Sequence, residues 1–499
     1  MSESANPQAS AERMMRTHEV AGLLAARPQG EDRWFDAVST DSRTIQPGQL
    51  FVALKGDRFD GHAYVADVLA KGAAAAMVEN AYAAAHPDQP LIGVEDTRGG
   101  LAALATAWRR RFAIPVIGVV GSNGKTTVKE MCAAILRCHY GEPAVLATRG
   151  NLNNDIGLPT MVLRLRERHR AAVFEIGMNH PGETVALAAV ARATVALVNN
   201  AQREHQEFMH GVSAVAEEHA LLIESLGADG TVVYNADDDH APLWLFRAGS
   251  RRAIGFGLKR GVVQGRFDEM PGGGMLTLDT PWGAIEAELA VPGRHNALNA
   301  CAAAAACLAA GVSLDAVGRG LSAFDGVKGR LQWRLGRHGT RVIDDSYNAN
   351  PDSMRAAIDV LAQLPGRRVF VMGDMGEVGD SGGQMHDEVG GYAKSHGIDR
   401  LLCLGEASRA AAYNFGVGGE HFTKPEDLIA ALSPELGEQT TVLVKGSRFM
   451  KMERVADAIA EPVPAVGPSQ GGDSQPPERA LPANNRQLLP REGGRGEGS

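Results

Sequence analysis

The chain has 499 residues, of which 44% are hydrophobic and 22% charged, too apolar a composition for a wholly disordered protein. At roughly 150 residues per domain, this length predicts about three domains. The net charge of -9 argues against nonspecific binding to nucleic acid or to an anionic membrane surface, so an anionic ligand would need a local basic site. The five cysteines form no CxxC pair, which disfavours a disulfide framework or a common zinc motif.

Both ends of the chain are predicted to be disordered. Residues 1–15 lack an apolar signal segment, and residues 461–499 mix Pro, Gly and Gln without apolar periodicity. No apolar run approaches the roughly 18 residues that span a bilayer. We therefore expect a cytoplasmic protein with no membrane insertion and no nucleic-acid partner.

Three α/β domains are predicted between these ends. Residues 16–97 combine short β-like runs with Ala-rich helices, which is typical of a small α/β domain. Residues 98–334 repeat a rhythm of apolar strand, glycine turn and helix, which predicts a mostly parallel sheet covered by helices. Residues 335–460 repeat that rhythm and predict a second doubly wound, Rossmann-like unit. The predicted strands are 49–54, 91–94, 116–120, 171–176, 194–199, 341–344, 368–372, 400–404 and 440–444.

A glycine turn directly follows the strand Val116–Val120 and carries the strongest chemical signal. A helix that begins after such a turn points backbone N–H groups at a phosphate, a lysine there neutralises β and γ oxygens, and the next hydroxyl can bind Mg²⁺. The turn departs from the strict GxxxxGK[ST] pattern, because Val119 stands at the first glycine position. An accidental GKT in a loop is the alternative. The residues are Gly121, Ser122, Asn123, Gly124, Lys125, Thr126 and Thr127.

Other polar residues lie where ligands of such a site are expected. Glu175 ends an apolar strand and is a candidate Mg²⁺ ligand, since open α/β sheets bind ligands at strand C-terminal ends. His205 could be a second metal ligand, although an isolated histidine is more often a surface or hydrogen-bonded residue. Asn296 and Asn299 begin an Ala-rich helix, where they could read a purine edge or simply cap the helix.

Three further sites have a functional and a structural interpretation. Arg330 could reach a phosphate when domains close, or form a linker salt bridge. The Asp344-Asp345 pair after a strand could hold ribose hydroxyls, or form a turn without a ligand. The cluster Ser39-Thr40-Asp41-Ser42-Arg43 suits a nucleotide diphosphate, but is equally plausible as a loop. The basic run 164–170 is interpreted as a solvated face.

Several longer stretches, in this order, resemble the cytoplasmic Mur ligases of peptidoglycan synthesis. They cover residues 38–455, and DDSYNANP and NLNNDIGLP resemble the branch that adds D-alanyl-D-alanine. The DNPR signature of the diaminopimelate-adding branch does not occur. The stretches are STDSR, LFVALKGDRFDGH, GSNGKTT, ATRGNLNNDIGLP, FEIGMNHPGE, GRHNALNACAAAA, KGRLQ, DDSYNANPDSM, VMGDMGEVG and VKGSRFMKM.

The resemblance implies a ligase that uses ATP and Mg²⁺ to join D-alanyl-D-alanine to UDP-N-acetylmuramoyl-tripeptide through an acyl phosphate. We expect it to be a monomer, although the sequence does not give the oligomeric state. The resemblance also implies an N-terminal domain that binds the UDP end, a central ATPase domain, and a Rossmann-like C-terminal domain that closes over the site. A catalytic set of Lys125, Glu175, His205 and Arg330 follows, with Thr126, Glu175 and His205 as metal ligands. Nucleotide residues would be 121–127, Asn296, Asn299, Arg330 and Asp345. Substrate residues would be Ser39, Thr40, Asp41, Ser42, Arg43, Asn153, Asn154, Asn348, Asn350, Lys445 and Ser447.

One departure from the family concerns a lysine that is often modified to a carbamate and supports a magnesium ion. The matching position here is Ala216, with Glu217 and Glu218 beside it. We expect no carbamylated lysine in this protein. Either a neighbouring carboxylate takes over, or the second metal ion is held differently.

Two other functions remain open from the sequence. A sibling amide ligase similar to folylpolyglutamate synthase would lack the N-terminal UDP domain, which the segment Thr40 to Arg43 argues against. A nucleotide-switched binding protein would hydrolyse ATP without forming a bond, and its phosphate release would not depend on an amine acceptor.

Overall fold

The structure is a computed structural model that describes residues 13–56, 59–270 and 272–461. It has three α/β domains, each with its own main sheet, so the predicted fold class is confirmed. The domain limits near 97 and 335 stay predictions. No helix among the described residues is both long and apolar enough to cross a membrane.

The predicted disordered ends lie largely outside the described residues. Within 1–15, however, Met14 and Met15 are buried, and Met15 pairs with Phe35 in a short antiparallel ribbon. The fold therefore begins earlier than predicted, because these methionines add apolar side chains to the core beneath Val20 and Ala21.

The N-terminal domain is built on a five-stranded sheet of order β2-β9-β8-β5-β4, which is parallel except where β2 joins. Its strands are β1 (Met15–Arg16), β2 (Arg27–Pro28), β3 (Trp34–Phe35), β4 (Val38–Ser39), β5 (Leu50–Val52), β6 (Lys55–Gly56), β7 (Phe59–Asp60), β8 (Ala75–Glu79) and β9 (Leu91–Val94). Its helices are α1 (Thr17–Leu23), α2 (Val65–Ala70) and α3 (Asn80–Ala85), and α4 (Thr97–Arg109) leads onward.

The central domain has a nine-stranded sheet of order β11-β12-β10-β13-β14-β15-β16-β17-β18. Its strands are β10 (Val116–Val120), β11 (Val145–Ala147), β12 (Ala171–Glu175), β13 (Val195–Val198), β14 (Thr231–Asn235), β15 (Arg252–Gly257), β16 (Val263–Met270), β17 (Gly273–Thr280) and β18 (Gly283–Leu289). Its helices are α5 (Lys125–Tyr140), α6 (Gly157–Val162), α7 (Glu183–Ala191), α8 (Val212–Glu224), α9 (Ala241–Ala248), α10 (Arg294–Ala309) and α11 (Leu314–Ser322).

Strand periodicity explains both halves of this sheet. The strands β10, β12 and β13 are buried throughout, as expected for parallel strands covered on both faces. Because β10 pairs in parallel with both β12 and β13, their C-terminal ends meet at one edge.

The antiparallel extension β16 to β18 was not predicted. Its outer strands bury alternate residues, β16 against α10 and β18 against α11, and expose many of the others. Such alternation is a weaker signal than a continuous apolar run.

The C-terminal domain has a six-stranded sheet of order β19-β20-β24-β21-β22-β23, parallel except where β19 joins. Its strands are β19 (Gln332–Leu335), β20 (Arg341–Asp345), β21 (Arg367–Gly373), β22 (Arg400–Leu404), β23 (Gly419–Phe422) and β24 (Thr440–Lys445). Its helices are α12 (Pro351–Ala362), α13 (Gly382–Ser395), α14 (Arg409–Phe415), α15 (Pro425–Leu432) and α16 (Glu453–Ile459).

The three domains are joined in two different ways. One apolar core runs from the N-terminal sheet through Leu101, Leu104 and Trp108 of α4 into the central domain. The C-terminal domain instead has its own cores around Phe370 and Val442. Polar side chains and ion pairs connect it to the central domain, as described below.

Candidate active site

The predicted phosphate loop lies between β10 and α5 and has the backbone that such a loop requires. Gly121 and Gly124 have φ of 144° and 81°, in the region that favours glycine. Their backbones also pass so close to Asn199 and Asn299 that an added Cβ would clash. Gly124 precedes the first helical residue, Lys125, so the free N–H groups of α5 face the cavity described below.

A second polar segment after β13 holds this loop in place, and the sequence reasoning missed it. Asn199 Nδ2 and Asn200 Nδ2 donate to the Asn123 carbonyl at 2.8 and 3.0 Å. The Asn123 N–H donates to Asn200 Oδ1 at 2.9 Å, and the Gln202 N–H donates to Ser122 Oγ at 2.8 Å. The available signal was Asn-Asn directly after a buried strand, at the same sheet edge as Glu175.

Lys125 reaches back over the loop to a buried carboxylate. Its Nζ donates to the carbonyls of Gly121 and Ser122, and to Glu204 Oε2 at 3.1 Å. The Glu204 side chain is only 6% exposed, and its Oε1 lies 3.2 Å from His219 Nε2. Burial alone would raise the pKa of Glu204, but Lys125 and His219 outweigh burial and lower it to about 2. Glu204, too, was not among the site residues predicted from the sequence.

Glu175 ends β12 within the same cavity. Its backbone N–H donates to Thr148 Oγ1 at 3.0 Å, and its Oε1 accepts a hydrogen bond from Asn153 Nδ2 at 2.7 Å. Its side chain is buried, and within the described residues Oε2 has no hydrogen-bond partner. Asn154 is used locally, since its Oδ1 accepts from the Gly157 N–H at the start of α6.

His205 joins the central domain to the C-terminal domain. It has a left-handed backbone, with φ of 47°, and its Nδ1 lies 2.6 Å from Glu377 Oε2. The close contact with His205 lowers the pKa of Glu377. His205 Nε2 lies 3.8 Å from Glu204 Oε2, so the imidazole stands between two carboxylates.

Arg330 reaches the phosphate loop from the joint before β19. Its Nη2 donates to Thr126 Oγ1 at 2.9 Å, and the guanidinium lies 4.3 Å from the centre of the Tyr347 ring. Thr126 and Thr127 are both buried in the first turn of α5. Among the residues that the structure describes, Arg330 forms this hydrogen bond and ring contact and not the linker salt bridge considered above.

Asn296 and Asn299 lie beneath the loop and do not line the cavity. Asn296 Nδ2 donates to the Pro292 carbonyl at 2.8 Å, and Asn299 Nδ2 donates to Asn296 Oδ1 at 3.2 Å. Asn299 Oδ1 accepts from Asn199 Nδ2 at 2.9 Å. The two residues connect α10 to the loop, and a contact with adenine stays a prediction.

The C-terminal domain contributes an ion pair at the ends of two adjacent strands. Asp345 and Lys445 end β20 and β24 in register, and Lys445 Nζ lies 2.6 Å from Asp345 Oδ2. Nζ also donates to the Asn348 carbonyl at 2.9 Å. Ser447 Oγ donates to the Ala349 carbonyl at 3.2 Å and orders the same turn.

Two polar contacts dock the C-terminal domain beside the loop. The side-chain amides of Asn123 and Asn350 pair, with Asn350 Nδ2 donating to Asn123 Oδ1 at 2.9 Å. The Arg203 guanidinium forms two ion pairs. Its Nη2 lies 2.6 Å from Asp352 Oδ1 of α12, and its Nη1 lies 2.9 Å from Glu388 Oε2 of α13. Hydrogen bonds to Asp352 and then to Glu388 raise the pKa of Arg203. Arg203 was not predicted as a functional residue from the sequence.

A cavity of about 760 Å³ brings these elements together. Gly121, Thr127, Asn296 and Asn299 do not line it, whereas Glu204 and Glu377 do. Most of the predicted nucleotide, metal and acceptor residues face this one space. From the predicted set, the lining includes Ser122, Asn123, Gly124, Lys125, Thr126, Asn153, Asn154, Glu175, His205, Arg330, Asp345, Asn348, Asn350, Lys445 and Ser447.

The predicted UDP segment lies beside a second cavity, of about 850 Å³. Ser39 and Thr44 line it, but the residues between them do not. Arg43 pairs with Asp41 at 2.8 Å and is largely exposed. The side-chain hydrogen bond from Arg43 lowers the pKa of Asp41 to about 2.

The basic run 164–170 lines the same cavity and is not simply a solvated face. Arg164, Arg166 and Arg168 line it, together with Arg137 and Arg149. Arg166 donates to the carbonyls of Leu163, Leu165 and Asp36, and so ties the central domain to the N-terminal domain.

The three residues predicted to lie at the family's lysine position, 216–218, make their contacts away from the loop. Trp244 Nε1 donates to the Ala216 carbonyl at 3.1 Å, and Glu217 pairs with Arg247 at the surface. Glu218 accepts from the backbone N–H groups of Gly182 and Thr184 at 2.8 and 2.9 Å. Neither neighbouring carboxylate therefore reaches Lys125.

The donor set suits Mg²⁺, although no ready-made cage is present. Within the described ranges, no three His, Cys, Asp or Glu side chains are grouped to hold a metal ion. Mg²⁺ commonly takes only one or two carboxylates, completing its shell with waters and substrate phosphates. The unpartnered Oε2 of Glu175 fits that pattern, since Glu175 lines the same cavity as Thr126 and the loop.

Fold and site together define a three-domain α/β protein whose predicted phosphate loop lies between its second and third domains. Three family profiles match along the chain: the Mur ligase family, catalytic domain, at 35–109, the Mur ligase middle domain at 119–307, and the Mur ligase, glutamate ligase domain, at 329–448. The chain belongs to the Mur ligase family.

Individual relatives match over nearly their whole lengths. The UDP-N-acetylmuramoyl-tripeptide–D-alanyl-D-alanine ligase of Escherichia coli (strain K12) is 40% identical over 449 residues, covering 89% of this chain and 98% of that protein. A crystal structure of MurF from Acinetobacter baumannii has a TM-score of 0.83 at 34% identity, covering 90% of this chain and 99% of the other. MurF ligase from Thermotoga maritima, solved in complex with ADP, has a TM-score of 0.73 at 25% identity, covering 85% and 96%.

Proposed function

We propose that this chain is an ATP-dependent ligase that joins D-alanyl-D-alanine to UDP-N-acetylmuramoyl-tripeptide, completing the pentapeptide precursor of peptidoglycan. The observation that carries the proposal is the cavity of about 760 Å³, where a phosphate loop, a strand-end carboxylate and the C-terminal domain face one space. The substrate pair is supported by the whole-length match to the Escherichia coli ligase. ATP use is supported by the ADP complex of the Thermotoga maritima relative.

The chemistry explains why a ligase needs this loop. Joining a carboxylate to an amine in water is uphill, so the carboxylate must first be activated. In the proposed reaction the terminal carboxylate of the tripeptide attacks the γ-phosphorus of ATP, and ADP leaves. The amine of D-alanyl-D-alanine then attacks the acyl carbon, and phosphate leaves.

Two cationic side chains serve the first step. Lys125 is the loop lysine, and Arg330 already touches Thr126 at the start of α5, so both can neutralise oxygens of the transferring phosphoryl group. Mg²⁺, which we propose is held by Thr126, Glu175 and His205, would add charge neutralisation at the phosphates. Asn153 orients the Glu175 carboxylate through its 2.7 Å hydrogen bond.

The two cavities suggest how the long substrate lies. They adjoin along one segment, since Thr148, Arg149 and Gly150 line the larger cavity, and Asn151 and Asn153 line the other. We place the anionic UDP end among the arginines beside Ser39 and the peptide end at Asn153 and Asn154. Opposite charges and a continuous path favour this direction.

The C-terminal domain supplies the acceptor side. Lys445, Ser447, Asn348 and Asn350 line the cavity opposite the phosphate loop, where the incoming amine would arrive. Docking of this domain would also exclude water from the acyl phosphate, which otherwise hydrolyses. That the protein acts as a monomer in the cytoplasm stays a prediction.

The test is phosphate release by the purified protein with ATP and Mg²⁺ and UDP-N-acetylmuramoyl-tripeptide, with and without D-alanyl-D-alanine. Release that needs both substrates, together with the mass of the pentapeptide product, would support the proposal. Release that does not depend on the dipeptide, with no new mass, would instead indicate a nucleotide switch.

A further inference from the structure

Glu204 is a buried carboxylate that is paired with Lys125, the lysine that a bound nucleotide triphosphate would also need. Its Oε2 accepts from Lys125 Nζ at 3.1 Å, while the side chain is 94% buried. This inference rests on the ATP use proposed above. When a nucleotide triphosphate occupies the loop, Lys125 must turn from Glu204 toward the phosphates, as loop lysines do.

That movement would leave Glu204 buried and unpaired, which is costly. A charged carboxylate without a partner in a site of low dielectric constant loses the hydration it would have in water and gains nothing in return. His205 Nε2 is 3.8 Å from Oε2, too far for a hydrogen bond, and it already contacts Glu377 through Nδ1. Another cation must therefore replace Lys125 beside Glu204.

Glu204 has the unsatisfied hydrogen-bonding capacity that a bound cation would use. Within the described part of the chain, Oε1 has no properly aligned hydrogen-bond donor, although His219 Nε2 lies 3.2 Å away. Glu204 lines the cavity together with Glu175, whose Oε2 is unpartnered as well. Two buried carboxylates that line the cavity thus each have an oxygen without an aligned donor. Glu204 Oε2 becomes the second free oxygen of its carboxylate when Lys125 moves away.

We propose that Glu204 is a further cation-holding residue of this site, which takes a divalent cation on the terminal phosphates when Lys125 moves onto them. His219, which is fully buried on α8, positions the carboxylate from behind. Glu204 thereby supplies the negative charge that Glu217 and Glu218 cannot supply, since both face away from the loop. Glu204 and Glu175 would then hold one divalent cation each.

The test counts bound cations directly and needs no turnover. Mn²⁺ is titrated into the protein saturated with β,γ-imido-ATP and followed by electron paramagnetic resonance. The wild-type chain is expected to bind two Mn²⁺ ions. In Glu204→Gln the second ion is expected to bind at least about tenfold more weakly, because even a lost outer contact weakens metal sites on that scale.

Glu217→Gln is the matched control, since Glu217 lies on the neighbouring helix, pairs with Arg247 and does not line the cavity. It is expected to match the wild type. Glu204→Asp keeps the charge, and is expected to retain both ions with an intermediate affinity, even if Glu204→Gln folds poorly by circular dichroism.

If Glu204→Gln binds two Mn²⁺ ions with the affinity of the wild type, the inference is overturned. A loss of β,γ-imido-ATP binding with the ion count unchanged would also overturn it, because Glu204 would then only position Lys125. A wild-type chain that binds two Mn²⁺ ions but forms no amide product would refute the proposed function and leave this inference standing.

Discussion

Arg203 is expected to control how firmly the C-terminal domain docks. Its guanidinium, 24% exposed, forms ion pairs with Asp352 and Glu388 of the C-terminal domain. Exposed ion pairs contribute up to about 1 kcal/mol, and hydrogen bonds to charged groups about 1.5 to 3 kcal/mol. Taking about 1 kcal/mol for each partly buried pair, Arg203→Ala should weaken docking by about 2 kcal/mol, or roughly 30-fold in the docking equilibrium.

The domain cores explain why this effect should be visible. The N-terminal domain shares an apolar core with the central domain, whereas the C-terminal domain has separate cores and docks through polar contacts. Loss of Arg203 should therefore release the C-terminal domain without unfolding it. Small-angle X-ray scattering should show a larger radius of gyration, and the KM for ATP should rise because fewer molecules are docked.

Arg247→Ala is the matched control. Arg247 also contacts two carboxylates, Glu217 and Glu224, but both belong to the central domain. Its removal should leave the radius of gyration and the KM unchanged. If Arg203→Ala gives the scattering curve and KM of the wild type, the docking role derived from these ion pairs is wrong.

Three further predictions concern the site and its pH dependence. Lys125→Ala should lower phosphate release by about 10²- to 10³-fold with unchanged circular dichroism, because it removes a cation proposed to neutralise the transferring phosphoryl group. Near-normal turnover would contradict this. Glu175→Gln should raise the Mg²⁺ concentration needed for half-maximal activity, since it removes the unpartnered buried oxygen, and an unchanged Mg²⁺ titration would argue against a ligand role. Burial lowers the pKa of His295 from 6.5 to about 4. Between these two pH values the unfolded chain binds more protons than the folded chain. The folded protein should therefore lose stability as the pH drops below 6.5. In urea unfolding, the free energy of unfolding of the wild type should be about 2 kcal/mol lower near pH 5 than above pH 6.5, and His295→Gln should lack this contribution. An equal pH dependence of the wild type and His295→Gln would refute the prediction.

Local patterns in the sequence were sufficient to predict the elements that contain continuous apolar runs or a glycine turn. Strands β9, β10 and β22 begin and end where predicted, because buried parallel strands are marked by uninterrupted apolar residues. The phosphate loop was found because its function depends on residue types at fixed spacing. Glu175 was found because a polar residue ends a buried strand.

The tertiary structure decided which polar residues meet. Glu204 and Arg203 follow a strand in a segment without a glycine or apolar pattern, so only the fold shows that one faces Lys125 and the other reaches α12 and α13. Residues 296 and 299 resembled site residues, yet the packing of α10 places them beneath the loop. Periodicity records the burial of a single element, whereas contacts between strand-end loops depend on the order in which strands join the sheet.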